Sequence, residues 1–276
     1  MARKMLRVRV DLAGMSGPSQ KVSTYDLFVV WHHVAMSTMA PPTQNDRNAA
    51  HRGPVFLPWH RFMLRQLELN LQRVLNDANF GLPYWDCAAD GQLTATQQKL
   101  SKIWAVDCME GSGNPVSTGP FVFDPTNASS FRVRIDVNVN GQLRQINRGL
   151  RRSLGTGAAK LPTKAHAASA VSMTPYDDAP WSTSSVSFRN RFEVWQPLTP
   201  ALHNLVHVWV GGDMSPSTSP NDPVFYLNHG NVDRIWEAWM QQHGRVYLPP
   251  DSAPALLQGH RLNDDRAALV SLSLPR

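Results

Sequence analysis

Four segments of the chain repeat apolar residues at the three-to-four-residue spacing of an amphipathic helix, and every one of them contains histidine. The spacing predicts helices over residues 23–39, 58–77, 199–212 and 223–244. In each segment a histidine falls on the apolar stripe, which faces the interior of a folded domain. The pattern therefore predicts histidine side chains that point into the core.

Start and stop signals support these helices. Ser23 and Asp26 are spaced as in a capping box, in which each side chain bonds the backbone N–H of the other. Pro58 and Pro200 stand where a first helical residue is expected, a position at which the missing N–H of proline costs nothing. Gly212 follows the third segment and ends its helical pattern.

Strand signals are fewer. Apolar and polar residues alternate over residues 4–12 and again over 131–139, where Asn140-Gly141 follows and predicts a hairpin. Residues 87–190 are rich in Gly, Pro, Ser and Thr, which predicts long loops lying over a helical bundle. The fold expected is mainly α, with a four-helix bundle core, long loops and a few peripheral strands.

Composition limits the domain count and the compartment. With 276 residues, of which 42% are hydrophobic, residues 1–276 are expected to form a single domain. No run of about 18 uncharged apolar residues predicts a membrane span. The basic N-terminus lacks the apolar core of an export signal, so cytoplasmic residence is expected, with export alongside a partner left open. Cys87 and Cys108 form no Cys-x-x-Cys motif, and a disulfide-stapled fold is not expected.

The net charge of +6 raises the question of an anionic partner. The densest basic group comprises Arg144, Arg148, Arg151 and Arg152. It has neither interleaved aromatic residues nor a recognisable nucleic-acid-binding module around it. We therefore expect a solvated basic face and no nucleic-acid partner.

The histidines carry the candidate chemistry. His203 and His207 are one helical turn apart, which places two imidazoles on one side about 6 Å apart, near enough to share a metal. Taken singly, such a pair is more often a chance event, and a histidine on an apolar stripe is more often a hydrogen-bonded core residue. Taken together, the chain supplies three histidines from its first half and three from its second, namely His32, His51, His60, His203, His207 and His229. Two tri-histidine sites suit copper, since imidazole binds it well and leaves positions open for dioxygen.

Two stretches carry a resemblance to a known family. The sequence HRGPVFLPWHR at residues 51–61 resembles the first copper motif of tyrosinases and related type 3 copper proteins. The sequences LHNLVHVWVGG at 202–212 and NDPVFYLNH at 221–229 resemble the second copper motif. Further similarity occurs between these stretches, so that it covers most of residues 25–242, with the copper motifs at about 25–78 and 199–243.

The resemblance implies a ligand set. His32, His51 and His60 would hold the first copper, and His203, His207 and His229 the second. The adjacent His32 and His33 are two candidates for one position, and the spacing of FVVWH at residues 28–32 favours His32, leaving His33 a structural role.

The chain departs from the family's pattern in two places. Asn228 stands where the family usually has a further histidine, which changes the surroundings of the site without removing a ligand. Some relatives link a cysteine to the second histidine of the first copper. No cysteine precedes His51 here, and no thioether is expected.

Other residues match positions near the copper pair in the family. Phe225 matches an aromatic residue that covers the copper pair, although a plain core phenylalanine fits equally well. Val208 and Ser217 are small enough to leave the entrance open to a phenol ring. Asp233, one turn after His229, either orients a ligand or pairs with a neighbouring side chain at the surface.

Glu193 and Asn204 resemble a water-holding pair that takes the proton of the phenol. A plainer interpretation stands beside this one. Glu193 would then cap a helix or pair with Arg189 or Arg191, and Asn204 would be a helix-surface amide.

The activity implied is hydroxylation of monophenols to o-diphenols and their oxidation to o-quinones, with two copper ions as cofactor and dioxygen as co-substrate. A catechol or o-aminophenol oxidase is the nearest alternative. A haemocyanin-like oxygen carrier would need its pocket covered, and a zinc hydrolase would need carboxylate bases in a His-Glu-x-x-His pattern that the chain lacks. The partner expected is a small phenol, and a copper-delivery or caddie protein remains open.

Overall fold

The computed structural model describes residues 7–8, 22–193 and 202–264. Within them the α-helices, in chain order, are α1 (Thr24–Ser37), α2 (Phe56–Leu75), α3 (Cys87–Asp90), α4 (Ala95–Gln98), α5 (Lys164–Val171), α6 (Phe188–Glu193), α7 (Leu202–Val210) and α8 (Val224–His243). The strands are β1 (Arg7–Val8), β2 (Val22–Ser23), β3 (Val133–Val137) and β4 (Leu143–Arg148). The helix-rich fold with few strands confirms the predicted class.

The four histidine-bearing segments form the long helices α1, α2, α7 and α8. Ser23 caps α1, and both hydrogen bonds of the predicted capping box with Asp26 are present. Helix α2 begins two residues before Pro58, which is tolerated because the N–H groups of a first turn have no partner within the helix. Gly211 and Gly212 follow α7 with φ of 64° and 54°, a backbone conformation that favours glycine. The predicted start of this helix at residues 199–200 lies outside the described residues.

The two strand predictions have different outcomes. Strands β3 and β4 pair antiparallel with Val137 opposite Leu143, which confirms the hairpin around Asn140-Gly141. Of the alternating stretch at residues 4–12, only Arg7–Val8 is described, and it pairs antiparallel with β2.

Residues 87–190 contain more regular structure than the predicted long loops. Helices α3, α4, α5 and the start of α6 all lie there, in addition to the hairpin. Two of these short helices begin with complete capping boxes, Thr94 with Gln97 and Thr163 with His166. The first of these is the Thr-x-x-Gln pattern that marks a helix start in a sequence.

Aromatic side chains join the long helices around one interior. Trp31 of α1 meets Trp59 of α2 with ring centroids 5.2 Å apart. Helix α2 packs along α8, and Phe188 of α6 stacks on Trp239 of α8 at 4.9 Å. These contacts, together with the packing of α7 on α8, bring the histidine-bearing faces of the four helices toward each other, as bundle packing does in helical domains that hold metals.

The prediction of a solvated basic face is wrong for two of its four arginines. Arg152 is buried and pairs with Asp222, with an Nη2 to Oδ1 distance of 2.6 Å. Arg148 pairs with Asp213 at 2.6 Å. Both carboxylates lie in the connection between α7 and α8, so the two arginines tie the hairpin region to the segment between the histidine helices.

None of the helices in the described part of the chain is both long enough and apolar enough to cross a membrane.

Candidate metal centre

The six histidines singled out by the sequence come together as two groups of three. His32, His51 and His60 form the first group, and in each group the nearest ring nitrogens lie within 4.8 Å of one another. The second group comprises His203, His207 and His229. Five of these residues are on the helices α1, α2, α7 and α8, whereas His51 lies on the loop before α2.

Helix geometry explains how the two groups face each other. His203 and His207 are one turn apart on α7, and their ring centroids lie 4.5 Å apart. His60 of α2 stacks on His229 of α8 with centroids 4.3 Å apart and ring planes 13° from parallel. The Nε2 atoms of His203 and His229 are 3.3 Å apart. The packing of α2 on α8 therefore joins the first group to the second.

Hydrogen bonds set the tautomer of four rings. In each, Nδ1 lies 2.7–2.8 Å from an oxygen: His32 from the Ser217 carbonyl, His60 from the Phe56 carbonyl, His203 from Asn204 Oδ1 and His207 from the Met214 carbonyl. These oxygens only accept, so Nδ1 carries the proton and Nε2 keeps a lone pair. A metal binds through such a lone pair.

Buried atoms without partners show that the donor set fits a metal. The Nε2 atoms of His32, His60 and His207 are buried and make no hydrogen bond. Buried polar atoms are normally bonded, and each exception calls for an explanation. Neutral imidazole nitrogens in groups of three are suitable ligands for copper, which explains these unpaired atoms.

Burial keeps the six imidazoles neutral. It lowers the pKa of His32 to about 3 and that of His207 to about 4. It also holds the pKa values of the other four, His51, His60, His203 and His229, well below their usual range, with the neighbouring imidazoles lowering them further. A neutral ring is the form that binds metal, so the site is ready for metal near neutral pH.

The choice between His32 and His33 agrees with the geometry, since His32 is the member of the first group. His33 points to Ser217 instead, with His33 Nδ1 2.7 Å from the hydroxyl Oγ. Ser217 thus contacts both histidines, His32 with its carbonyl and His33 with its hydroxyl. It is absent from the pocket wall, where Ser215 and Ser219 lie.

Changing His32 and His33 separately to alanine should separate their roles. The His32→Ala protein should lose copper, since a donor of the first group disappears, while the His33→Ala protein should keep it because only the contact to the Ser217 hydroxyl is lost. Metal analysis after copper loading and desalting measures both. Copper retained by His32→Ala and lost by His33→Ala would reverse the assignment.

Phe225 lies against the histidines. Its ring centroid is 4.1 Å from that of His229 and 5.1 Å from that of His32, and the residue is fully buried. It is therefore both a core residue and a wall of the histidine site.

A pocket opens over the two groups. Its volume is about 350 Å³, and its wall is formed by His32, Met36, His51, His203, Asn204, His207, Val208, Ser215, Pro216 and Ser219. Val208 is 36% exposed, which places a small side chain at the opening. Ring nitrogens at the base and apolar groups on the sides are what a small aromatic molecule needs in order to reach a metal.

Asn204 and Glu193 occupy different surroundings. Asn204 lies in the pocket wall, and its Oδ1 accepts a hydrogen bond from His203 Nδ1, so it orients a ring of the second group. Glu193 is buried; its Oε1 accepts a hydrogen bond from the backbone N–H of Arg52 at 2.6 Å, and its Oε2 pairs with Arg189 at 3.2 Å. Burial raises the pKa of Glu193 to about 7 against the opposing effect of Arg189.

Two further sequence-predicted positions are placed by the structure. Asp233 forms an ion pair with Arg61 of α2, and both side chains are about one third exposed. Of the two roles considered for Asp233, this geometry matches pairing with a neighbouring side chain at the surface. Asn228 is buried, and its side-chain amide nitrogen has no hydrogen-bond partner.

Sequence reasoning missed the groups that orient the rings. The carbonyls of Phe56, Met214 and Ser217 fix three of the histidines. Only the Phe56 carbonyl could have been found, because a helical histidine can bond the backbone four residues before it. The other two come from the segment between α7 and α8, and no residue type encodes them.

The chain matches a family model. The model described as "Common central domain of tyrosinase" matches residues 22–242. The chain is also 40% identical to the tyrosinase of Streptomyces antibioticus over 240 residues, which are 85% of this chain and 80% of that protein. The chain belongs to the tyrosinase family.

Other comparisons agree with this assignment. The tyrosinase of Streptomyces glaucescens is 42% identical over 87% of this chain and 80% of its own length. The grixazone synthase of Streptomyces griseus is 36% identical over 82% of this chain and 78% of its own length. Among solved structures, a polyphenol oxidase from Thermothelomyces thermophila has a TM-score of 0.60 over 93% of this chain and 68% of its own, and at 21% identity it shows the shared fold.

Membership of this family assigns the cofactor. Tyrosinases are binuclear copper proteins, and the two tri-histidine groups of this chain provide the donors for a pair of copper ions. Dioxygen is the co-substrate, and small phenols are the substrate class.

Proposed function

We propose that this chain hydroxylates monophenols to o-diphenols and oxidises o-diphenols to o-quinones. The observation that carries this function is the pair of facing tri-histidine groups, of which His32, His51, His203 and His207 line one pocket. Each group alone could hold a single metal ion. Two groups joined by the stacking of His60 on His229, with ring centroids 4.3 Å apart, suit a coupled pair.

The ligands follow from the two groups. His32, His51 and His60 would hold one copper ion, and His203, His207 and His229 would hold the other. When bound, the copper pair supplies the binding and activation of dioxygen. The protein contributes neutral imidazoles whose orientation is fixed, for four of the rings, by oxygen acceptors at Nδ1.

The pocket would bind and orient the phenol. Its volume of about 350 Å³ is at the small end of the range of roughly 300–1,000 Å³ seen for small-molecule sites, which suits a substrate with one ring. Met36, Val208 and Pro216 present apolar surface to that ring and exclude water from it. Holding the ring over the histidine nitrogens turns its reaction into a step within one complex.

Glu193 and Asn204 would handle the phenolic proton through a water molecule held between them. A phenol with a pKa of about 10 is mostly protonated at neutral pH, so a proton acceptor in the pocket would increase the rate at which the substrate binds as phenolate. The pKa of Glu193, raised by burial to about 7, supports this role, because a proton acceptor works best with a pKa near the working pH. Asn204 reaches the pocket, and its Oδ1 is engaged with His203, which leaves its amide N–H groups to donate to the water.

Comparing a monophenol with its o-diphenol counterpart tests this proton transfer. Glu193→Gln and Asn204→Ala should both lower the monophenol rate by about 100-fold, within the range of general-base contributions. The diphenol rate should fall less, because a diphenol ionises more readily. Copper content is measured for each protein, since Asn204→Ala also removes the partner of His203. Equal losses on both substrates at full copper loading would contradict the proton-transfer role.

Copper loading tests the function as a whole. Metal analysis after reconstitution and desalting should give two copper ions per chain, and exposure to peroxide should give the near-ultraviolet absorption of a coupled pair. The loaded protein should then convert tyramine to coloured quinone products. One stable equivalent, or retention of zinc in preference to copper, would overturn the proposal.

A helper protein that delivers copper is a further part of the proposal. The donor atoms of His32, His60 and His207 are buried, and the pocket opening beside Val208 is the way to them. A delivery protein would dock at this opening. Loading to two equivalents within seconds by free copper salts would show that no helper is needed.

A further inference from the structure

His51 differs from the other five histidines of the metal centre. It lies on the loop before α2, whereas the others are held by helices. Its Nδ1 is buried and has no hydrogen-bond partner, so no acceptor fixes its ring as acceptors fix His32 and His60. The position of His51 therefore depends on the backbone of its loop, together with ring contacts to Phe56 and His60.

Two side chains hold that backbone. Within the loop, Asn48 Oδ1 accepts from the N–H groups of Ala50 at 3.1 Å and His51 at 2.7 Å. From outside the loop, Glu193 Oε1 accepts from the N–H of Arg52 at 2.6 Å. Arg52 has φ of 64°, a left-handed conformation that is unfavourable for a residue other than glycine. The N–H of this strained residue is the one that donates to Glu193.

Glu193 is itself fixed by a fully buried network. Its Oε2 pairs with Arg189, whose guanidinium also pairs with Asp177, with an Nε to Oδ2 distance of 2.8 Å. Arg189 donates in addition to the Ser182 carbonyl at 2.9 Å. A network in which every member is satisfied holds its parts rigidly. The carboxylate of Glu193 therefore has little freedom to leave Arg52.

We infer that Glu193, oriented by Arg189, is a positioning residue that clamps the Arg52 backbone and thereby holds His51 in place for copper. This inference rests on the proposed role of His51 as a copper ligand. The contact with Arg52 needs a hydrogen-bond acceptor at Oε1, and the contact that orients Glu193 needs an acceptor for Arg189 at Oε2. Its requirements thus differ from those of proton transfer, which needs an ionisable group.

Two substitutions of Glu193 separate the two roles. Glutamine keeps an oxygen acceptor for Arg52 but turns its amide N–H groups toward Arg189, so Glu193→Gln should keep copper affinity within about 10-fold of the wild type and bind it more tightly than Glu193→Ala does. Alanine removes the acceptor, and Glu193→Ala should weaken one of the two copper ions by about 10–100-fold, as loss of outer contacts to a ligand does. Competition with a chelator of known affinity measures both. Wild-type affinity for both ions in Glu193→Ala would overturn the clamp.

Hydrogen exchange on the metal-free protein gives a readout without copper. The Arg52 amide should exchange slowly in the wild-type protein and in Glu193→Gln, and at least 10-fold faster in Glu193→Ala. Phe192→Leu is the matched control, because Phe192 is buried on the same helix and packs against Phe188 with ring centroids 5.7 Å apart. It should leave the exchange of Arg52 unchanged. Equal acceleration in both variants would show general loosening of α6 and would contradict a specific clamp.

A rescue variant distinguishes loss of the clamp from a wider structural disturbance in Glu193→Ala. Glycine adopts the φ of Arg52 without strain, so Arg52→Gly added to Glu193→Ala should recover copper affinity by about 5–10-fold. No recovery would contradict the clamp. The proposed function fails separately, if the wild-type protein itself does not take up two copper ions.

Discussion

Replacing His60 with alanine should lower bound copper from two ions per chain to one and reduce phenol oxidation to background. His60 supplies one of three nitrogens in the first group, and its ring stacks on His229 of the second at 4.3 Å. Two remaining donors hold a copper ion weakly, and a single copper ion cannot activate dioxygen as the pair does. His207→Ala should have the same effect through the second group. Metal analysis and the rate of quinone formation measure the two losses.

The fold should survive this change. His60 packs against the rings of Phe56, Trp59 and Phe225, and the destabilisation expected from such a truncation is about 1–3 kcal/mol. His243→Ala is a suitable control, since His243 lies on α8 and its Nε2 bonds the Val171 carbonyl rather than joining either histidine group. That variant should keep two copper ions. Full oxidase activity in His60→Ala would show that the ligand assignment is wrong.

The parts of the centre that lie on helices were predictable because periodicity fixes direction. The apolar stripe of α2 places His60 inward, and one-turn spacing places His203 beside His207. His51 is different. No periodic pattern surrounds it, and only the resemblance of residues 51–61 to a copper motif singled it out. A loop residue is placed by tertiary contacts, which a single sequence does not display.

The contacts that support the centre were predicted least well. Glu193 was weighed as a partner of Arg189 or as a proton acceptor, and its bond to the Arg52 backbone was not foreseen, because 141 residues separate the two in sequence. The network of Asp177 and Arg189 has no motif either. The short helices were partly accessible, since Thr94 and Gln97 carry a capping pattern. Local sequence signals thus predict secondary-structure elements, whereas the hydrogen bonds that join distant elements become visible only in the three-dimensional structure.

Removing copper should make the protein sensitive to mild acid. Burial holds the pKa values of all six centre histidines below their usual range, with His32 at about 3 and His207 at about 4. In the unfolded chain the same side chains titrate near about 6.5. As the pH falls below that value, the unfolded chain takes up protons that the folded protein excludes. Folding stability is therefore present above about pH 6.5 and is lost as the pH falls toward the folded pKa values.

The direction of the effect is the same for all six histidines. Each of them excludes a proton that the unfolded chain takes up between pH 7 and pH 5.5. Glu193 acts in the opposite direction. Its pKa of about 7 in the folded protein lies above the unfolded value, so protonation in this interval stabilises the folded state by roughly 1.5 kcal/mol. Six histidines act against this one carboxyl group, so the net change is a loss of stability, and a typical domain has only roughly 5–15 kcal/mol to lose.

Urea unfolding of the metal-free and copper-loaded proteins at pH 7.5 and pH 5.5 measures this loss. The metal-free protein should unfold at a much lower urea concentration at pH 5.5, with an unchanged slope, because the change lies in stability and not in the surface exposed. The copper-loaded protein should change far less, since bound copper occupies the nitrogens that protons would take and binds only the folded state. An equal midpoint for the metal-free protein at the two pH values would mean that the six imidazoles are not held neutral by burial. The carboxylates of Asp107 and Asp124 do not confuse the comparison, because their pKa values are lowered by neighbouring donors and they stay ionised at both pH values.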